Sequence, residues 1–535
     1  MHSSPWYKTS VFYEVYVRAF FDSNNDGQGD LKGLEAKLDY LKELGVDCLS
    51  LNPVYPSPLK DDGYDISNFC GIHPDYGDLQ DFKDLVKSAH ERGLRIMTDL
   101  VLNHTSDQHP WFQAARKDRN SPYRDYYVWS DTDKEYEDVR VIFLDTEKSN
   151  WTWDPVAGQY FWHRFYSSQP DLNYDNPQVH HEAKQILKFW LDLGVDGFRC
   201  DAVPYLYERD GTNCENLVET HDLWKELRQF IDENYADRVL LCEANQRPKE
   251  ALKYFGDDDE FHMAFQFPLM PRIFMALGQE DMSPLHRIIE NTPAIPPNSQ
   301  WCNFLRNHDE LTLEMVSEEE RQWMWNHYAP DPQMRCNLGI RRRLAPLLGG
   351  EQRLIELANS ILFTLPGSPI LYYGDEIGMG DNIWLADRNG VRTPMQWDST
   401  SNAGFSTSPN LFSPVIQSEP FSPRQVNFED QRSDQNSLWH RIRKMIAVRK
   451  ENHILNYGEY RWVDCQNNHA FAFYRHSGQE QILLIHNLSS ESQQVSLTLD
   501  KDKEGLMNLL TGQKFPIEGD LLDIELEPYQ YLWLI

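Results

Sequence analysis

Leu193-Gly-Val-Asp-Gly-Phe-Arg-Cys-Asp201 carries the organisation of the chain in one short stretch. Leu193 closes a helix, Gly194 stops it, and Val195 opens a strand that ends on Arg199 and Asp201. The same punctuation stands at Leu44-Gly-Val-Asp47, so one strand-helix unit is reused. Before Leu44, Asp30 caps a helix expected to carry Leu31, Leu34, Leu38, Leu41 and Leu44 on one face, at spacings of three and four. Strands are expected on either side of it, at residues 11–17 and 46–51. The next helix is expected over about residues 79–91, ended by Gly93, with a strand at 94–102. Strand-helix-strand alternation with short turns means parallel pairing. Further strands are expected at 197–201, 239–243, 262–267, 301–305 and 369–373. With the first three they make eight, the count that closes a (β/α)8 barrel. An open doubly wound sheet is the alternative, but it would carry a glycine-rich phosphate turn after the first strand, and none is there.

Two stretches break the rhythm. Residues 105–174 are rich in aromatics, lack a clean helical period, and are expected to form a small domain inserted after the third strand. Residues 310–356 form a charged, Trp-containing insertion after the seventh. Beyond about residue 449 the pattern turns to apolar alternation, at 469–474, 482–485, 495–499 and 531–535, which describes an antiparallel β-domain. The expected chain is therefore α/β. A (β/α)8 TIM barrel takes residues 1–104 and 175–449, the inserted domain 105–174, and a C-terminal antiparallel β-domain 450–535.

The 535 residues suffice for a large core and more than one domain. Fifty-one basic and 83 acidic side chains give a net charge of −32, which repels phosphate backbones and argues against a nucleic-acid partner. Abundant Trp and Tyr suit stacking on sugar faces, though large cores use aromatics too. No basic start followed by an apolar run is present, so no signal peptide is expected. No stretch approaches the ~20 apolar residues of a membrane span. The eight cysteines (Cys48, Cys70, Cys200, Cys214, Cys242, Cys302, Cys336, Cys465) are scattered without CxxC pairs. That suits buried thiols in a reducing cytoplasm, not zinc or a disulfide framework.

Barrel enzymes place their chemistry at the C-terminal ends of the strands. The third strand runs out in Asp99-Leu-Val-Leu-Asn-His104, the fourth in Arg199-Cys-Asp201, the fifth in Glu243 and the seventh in Asn307-His-Asp309. A lone carboxylate there is as readily a helix cap. Three of them, far apart in the chain and interleaved with Arg and His, need a fold to gather them. Glycoside chemistry uses such a set: one carboxylate ionised to attack an anomeric carbon, one protonated to release the leaving oxygen. Arg199, two residues before Asp201 on a strand, shares its face and is expected to lower the Asp201 pKa. Glu243, between Cys242 and Ala244, has a less polar setting that would hold its proton. Asp309 would bind sugar hydroxyls and favour ring distortion.

With Gln169-Pro-Asp-Leu-Asn173, these motifs make the chain resemble the α-amylase superfamily of glycoside hydrolases along nearly its whole length. The resemblance implies Asp201 as nucleophile, Glu243 as general acid/base and Asp309 as the third carboxylate. It implies a glucose subsite lined by His104, Arg199 and His308, with Gln169 and Glu310 also binding substrate and Tyr64 as stacking platform. Asp61 and Arg392 would pair to close the subsite beyond the non-reducing end, so that one terminal glucose is handled. Residues 169–173 resemble the oligo-1,6-glucosidase-like branch. Residues 143–153, 243–246, 376–381 and 388–397, with the insertion after the seventh strand, resemble the trehalose synthase branch. That branch implies interconversion of maltose and trehalose, with the freed glucose retained and re-attached, and with some side hydrolysis. Water must be kept out meanwhile, and residues 310–356 are the candidate lid. Maltose, trehalose and glucose are the implied partners, with no membrane and no organic cofactor. A homo-oligomer and a separate maltokinase are left open.

Asp22-Ser-Asn-Asn-Asp-Gly-Gln-Gly-Asp30 alternates oxygen ligands around a glycine at position six, the opening of a calcium loop. Gly33 stands where an EF-hand has glutamate. In the resembled branch, Asp22, Asn24, Asp26 and Asp30 would bind structural Ca2+ through side chains and Gln28 through its carbonyl. The other account is a polar turn with Asp30 as helix cap. A second calcium is implied where the inserted domain meets the barrel. Asn103, Asp171 and Glu208 would supply side chains, and Tyr205 and Leu206 carbonyls. The rival functions are an α-glucosidase or oligo-1,6-glucosidase that hydrolyses with the same carboxylates, and a non-catalytic amylase-like binding subunit.

Overall fold

The computed structural model describes residues 5–499 and 505–535. Eight parallel strands form the core: β1 (Phe12–Val15), β2 (Cys48–Leu51), β3 (Arg95–Leu100), β4 (Gly197–Cys200), β5 (Val239–Cys242), β6 (Met263–Phe265), β7 (Gln300–Phe304) and β8 (Ser368–Tyr372). Each pairs with the next, and β8 pairs with β1 in the register Ile370 to Phe12, closing the barrel. The closed ring excludes the open doubly wound sheet. All residues of β1, β2, β4 and β5 are buried, as parallel strands covered on both faces must be.

Gly45 and Gly194, the two helix stops, adopt φ of +101° and +99°, the left-handed cap that favours glycine. Asp30 caps its helix by accepting from the Gly33 amide. The single helix expected from Leu31 to Leu44 is two, Leu31–Ala36 and Leu38–Leu44. Lys37 leaves the helix at the joint, where its ammonium lies over the rings of Phe21 and Trp397 at 4.0 and 4.2 Å, a cation–π site. The leucine face survives the break, for all five leucines are buried.

Between β3 and β4 the chain forms a three-stranded sheet ordered Trp129–Ser130, Gln159–Trp162, Trp151–Asp154. It also forms a helix, Pro110–Lys117, that the aromatic composition hid. Pro110 at its first position and the His109 side chain, accepting from the Trp111 amide, start it. After β7 come a helix, Glu318–Tyr328, capped by Ser317, and a short hairpin of Arg335–Cys336 and Gly339–Ile340. The C-terminal part contains an antiparallel sheet ordered Glu459–Val463, Ala470–Ser477, Glu480–Asn487, Tyr531–Leu534. It packs on the barrel helix Gln352–Thr364: Arg475 donates to the Thr364 carbonyl at 2.7 Å, and the Trp533 indole to Ser360 Oγ at 2.8 Å. Among the described residues no helix is long and apolar enough to cross a membrane.

Candidate active site

The strand ends converge on a cavity of about 130 Å³, whose wall includes Asp201, Glu243, Asp309, Asp61, Tyr64, His104 and Glu310. Arg199, on β4, is its hub. Nη1 donates to Asp99 Oδ1 at 2.9 Å and to Asp201 Oδ1 at 2.6 Å, and Nη2 pairs with Glu243. Burial raises Asp201 to about 6 against the downward pull of Arg199. The expected net lowering of Asp201 is thus reversed, because desolvation outweighs the single shared guanidinium. Burial also raises Glu243, to about 8, with Arg199 opposing and the charges of Asp201 and Asp309 adding. Glu243 is therefore not in the less polar setting expected, being paired with Arg199, yet it still holds its proton longer than Asp201. Near pH 7 one carboxyl is mostly ionised and the other mostly protonated, the division of labour that glycosyl transfer needs.

Asp309 Oδ1 accepts from Arg388 Nη1 at 2.7 Å and Arg392 Nη2 at 3.1 Å, and Oδ2 faces His308 Nε2 at 3.1 Å. Burial would raise Asp309, but His308 and the two arginines hold it well below the usual carboxylate range. Asp61 does not pair with Arg392. Its Oδ1 accepts from Arg388 Nη2 at 2.6 Å, whereas Arg392 Nη1 donates to Asp62 Oδ2 at 2.6 Å. The two arginines flank the short turn Asn389–Val391, which brings both to this end of the cavity. Arg388 bridges Asp61 to Asp309 and occupies the place expected for Arg392.

Gln169 donates to Asp61 Oδ2 at 2.9 Å, accepts from the Tyr166 amide and is fully buried. It holds Asp61 and does not line the cavity. Arg199, His308 and Arg392 also stand behind the wall and act through the carboxylates they hold. Tyr64 stacks on His308, ring centroids 5.2 Å apart, and donates to Asp99 Oδ2 at 2.7 Å. Burial pushes the His104 imidazole down to about 3, so it is neutral, and its Nε2 has no partner among the described residues. Burial raises Glu310 to about 7, against the pull of Arg388.

Sequence reasoning missed a second layer. Arg140 of the inserted segment pairs with Glu215 at 2.8 Å and Glu314 at 3.1 Å, and Asn245 donates to Glu314 at 3.2 Å. At the hairpin tip the Asn337 amide donates to Asp145 at 2.8 Å. Asn245 and Glu314 belong to the cavity wall, so the inserted segment is clasped to the insertion after β7 beside the cavity. Each clasp joins distant segments and leaves no spacing signal. Glu14 does leave one: a single charge inside the apolar run Phe12–Val15.

The loop from Asp22 to Asp30 folds around its own side-chain oxygens. Asp22 accepts from the amides of Asn24, Asn25 and Gly27, Asn24 from that of Asp26, and Asp26 from that of Gln28. The Gln28 side chain turns away to Arg18 and Asp75, so only its carbonyl is left for the loop. At the second site, Asn103 Oδ1 and Asp171 Oδ2 are buried with no partner among the described residues. Burial raises Asp171 to about 8, and burial plus the Asp171 charge pushes Glu208 well above its usual range. Asp171 Oδ1 accepts from the Arg164 amide at 3.1 Å, and the remaining neutral and anionic oxygens are a fitting donor set for a hard cation. Among the described residues no group of three or more His, Cys, Asp or Glu gathers as a metal cluster. Both sites would thus depend on amide and carbonyl oxygens as well.

The family profile described as "Alpha amylase, catalytic domain" matches residues 14–328 and 341–458, and "Maltogenic Amylase, C-terminal domain" matches 460–533. The trehalose synthase of a Pimelobacter species is 53% identical, covering 96% of this chain and 93% of its own. The trehalose synthase/amylase TreS of Mycolicibacterium smegmatis is 54% identical over 96% of this chain and 90% of its own. The oligo-1,6-glucosidase of Bacillus cereus is more distant, at 32% identity over 98% of both chains. Among solved structures, the trehalulose synthase MutB from Pseudomonas mesoacidophila superposes with a TM-score of 0.80 at 29% identity, covering 100% of both chains. The chain belongs to the α-amylase family, within its trehalose synthase group.

Proposed function

We propose that the chain interconverts maltose and trehalose by moving one glucosyl unit within a single cavity. Asp201 attacks the anomeric carbon of the bound glucosyl unit, and Glu243 protonates the departing oxygen, leaving a glucosyl ester and a free glucose. That glucose stays and turns. Glu243, now ionised, takes the proton from its anomeric hydroxyl, which attacks the ester from the opposite face. Two inversions give overall retention. The Arg388–Asp61 bridge blocks the cavity beyond one glucose, while His104 Nε2 and Glu310 offer hydrogen bonds to hydroxyls. The clasps from Arg140 and Asp145 keep the cavity shut while the glucose turns, which favours it over water as acceptor.

The observation that carries this reading is the convergence of Asp201, near 6, and Glu243, near 8, with Asp309 on one cavity, on a chain more than half identical to trehalose synthases. Product analysis tests it. Maltose should yield trehalose, trehalose should yield maltose, and Asp201→Asn should yield neither. Glucose as the sole product from both sugars would instead establish an α-glucosidase. The shared carboxylates and the oligo-1,6-glucosidase relative favour that chemistry as a side reaction, with water replacing the retained glucose.

We also propose structural Ca2+ at the Asp22–Asp30 loop and at the Asn103, Asp171, Glu208 cluster. Calcium there would neutralise crowded oxygens and tie loop to loop. The eight free cysteines, seven of them buried, support a reducing, cytoplasmic setting.

A further inference from the structure

Glu14 is a buried carboxylate on β1 that the glucosyl transfer does not use. Its Oε1 lies 2.5 Å from Nδ1 of His308. The opposite ring nitrogen, Nε2, lies 3.1 Å from Asp309 Oδ2 and 2.7 Å from the Tyr64 hydroxyl. A neutral imidazole has one N–H, so one of its nitrogens would turn a lone pair toward a carboxylate. Two carboxylates at opposite ends of one ring call for an N–H at each. Asn52 Nδ2 lies 3.1 Å from both Nδ1 and Glu14 Oε1. As a donor it would suit an unprotonated Nδ1, but the closer, charged Glu14 oxygen outweighs it.

We propose that Glu14 is a positioning residue that fixes His308 as an imidazolium, making Nε2–H a permanent donor toward Asp309 and the Tyr64 hydroxyl, both of which line the cavity. Every charged neighbour fits that state. Burial pushes His308 down, but Asp309 and Glu14 outweigh it and hold the ring up at about 10. Asp99 and Glu243 feel its positive charge, Arg199 acts on Glu14, and Arg392 reaches only the His308 carbonyl, at 2.9 Å. The stacked Tyr64 hydroxyl already donates to Asp99, so it can accept from Nε2–H. With His308 locked, it adds no titration of its own to those of Asp201, Glu243, Asp99 and Glu310. The catalytic consequence, carried through Asp309, rests on the glucosyl-transfer reading. The protonation state does not, and is measured without sugar.

The test is NMR of the full chain carrying 15N-labelled histidine, with the His308 signals identified by their absence in H308N. Both ring nitrogens of His308 are expected to stay protonated through about pH 8, where an ordinary histidine has lost its second proton. In Glu14→Gln, His308 should titrate near neutrality. The ratio of kcat/KM at pH 6 to that at pH 8 should then rise about tenfold over the parent. A neutral His308 at pH 7 in the unmutated chain would overturn the proposal, whether or not the variant folds. So would an E14Q protein with the parent's His308 titration and pH profile.

Discussion

Asp201 and Glu243 share one guanidinium and each feels the other's charge, so they titrate as a pair. In the proposed mechanism, catalysis needs Asp201 ionised and Glu243 protonated. As pH rises through about 6 the nucleophile gains its charge, and through about 8 the acid loses its proton. kcat/KM on maltose is therefore expected to trace a bell with limbs near those two values. Initial rates across the range check it, and a flat or single-limbed profile would contradict the assignment. Glu243→Gln should lose about 10²–10⁴-fold in kcat and also lose the alkaline limb. At this scale the three carboxylates were legible because barrel topology puts strand ends together whatever their distance in sequence. The partner of Asp61 was not, since Arg388 and Arg392 sit four residues apart around one turn and only side-chain reach decides between them. The sign of the Asp201 shift was not legible either, because burial has no local sequence signal.

All eight strands lie where short apolar runs placed them, since a strand covered on both faces is nearly continuous in apolar residues. The elements that escaped were those whose pattern is short or mixed. The helix Pro110–Lys117 buries only Phe112 and Ala115, too few for a period to show. The break at Lys37 depends on two rings from elsewhere in the chain. The insertion after β7 was visible only as a charged interruption, yet its hairpin and Glu314 hold the inserted segment in place. Asp145→Ala deletes the acceptor of the Asn337 amide. At this exposed site the bond contributes about 0.5–1.5 kcal/mol, enough to enrich an open form about two- to tenfold. The expected result is a raised ratio of free glucose to trehalose with total turnover of maltose retained, and Arg140→Ala should act in the same direction. An unchanged ratio in both variants would show that the clasps do not govern access of water.

The molecule is tied together by buried polar groups as much as by its core. Arg475 crosses from the C-terminal sheet to carbonyls at Thr364, Leu455 and Gly458, joining that sheet to the barrel. The corresponding seam between inserted segment and barrel runs through Asn103, Asp171 and Glu208. There the Asp171 amide donates to the Trp162 carbonyl and the Leu172 amide to that of Asn103, and Asp171 Oδ1 accepts from the Arg164 amide, but Asn103 Oδ1 and Asp171 Oδ2 find no donor among the described residues. A buried acceptor left unsatisfied costs about 1–3 kcal/mol, and two buried carboxylates side by side add mutual repulsion. Calcium would remove both penalties, and its binding free energy would then count toward the stability of the whole chain. Chelation with EGTA is accordingly expected to lower Tm by several degrees, with recovery on adding Ca2+ but not Mg2+, which binds reluctantly to all-protein oxygen cages. Asp171→Asn and Asp26→Asn separate the two sites. If both bind, each variant should lose part of the calcium-dependent gain in Tm and the double variant all of it. A Tm indifferent to EGTA in the parent chain would reject both sites and leave the second cluster as protonated carboxyls held by burial.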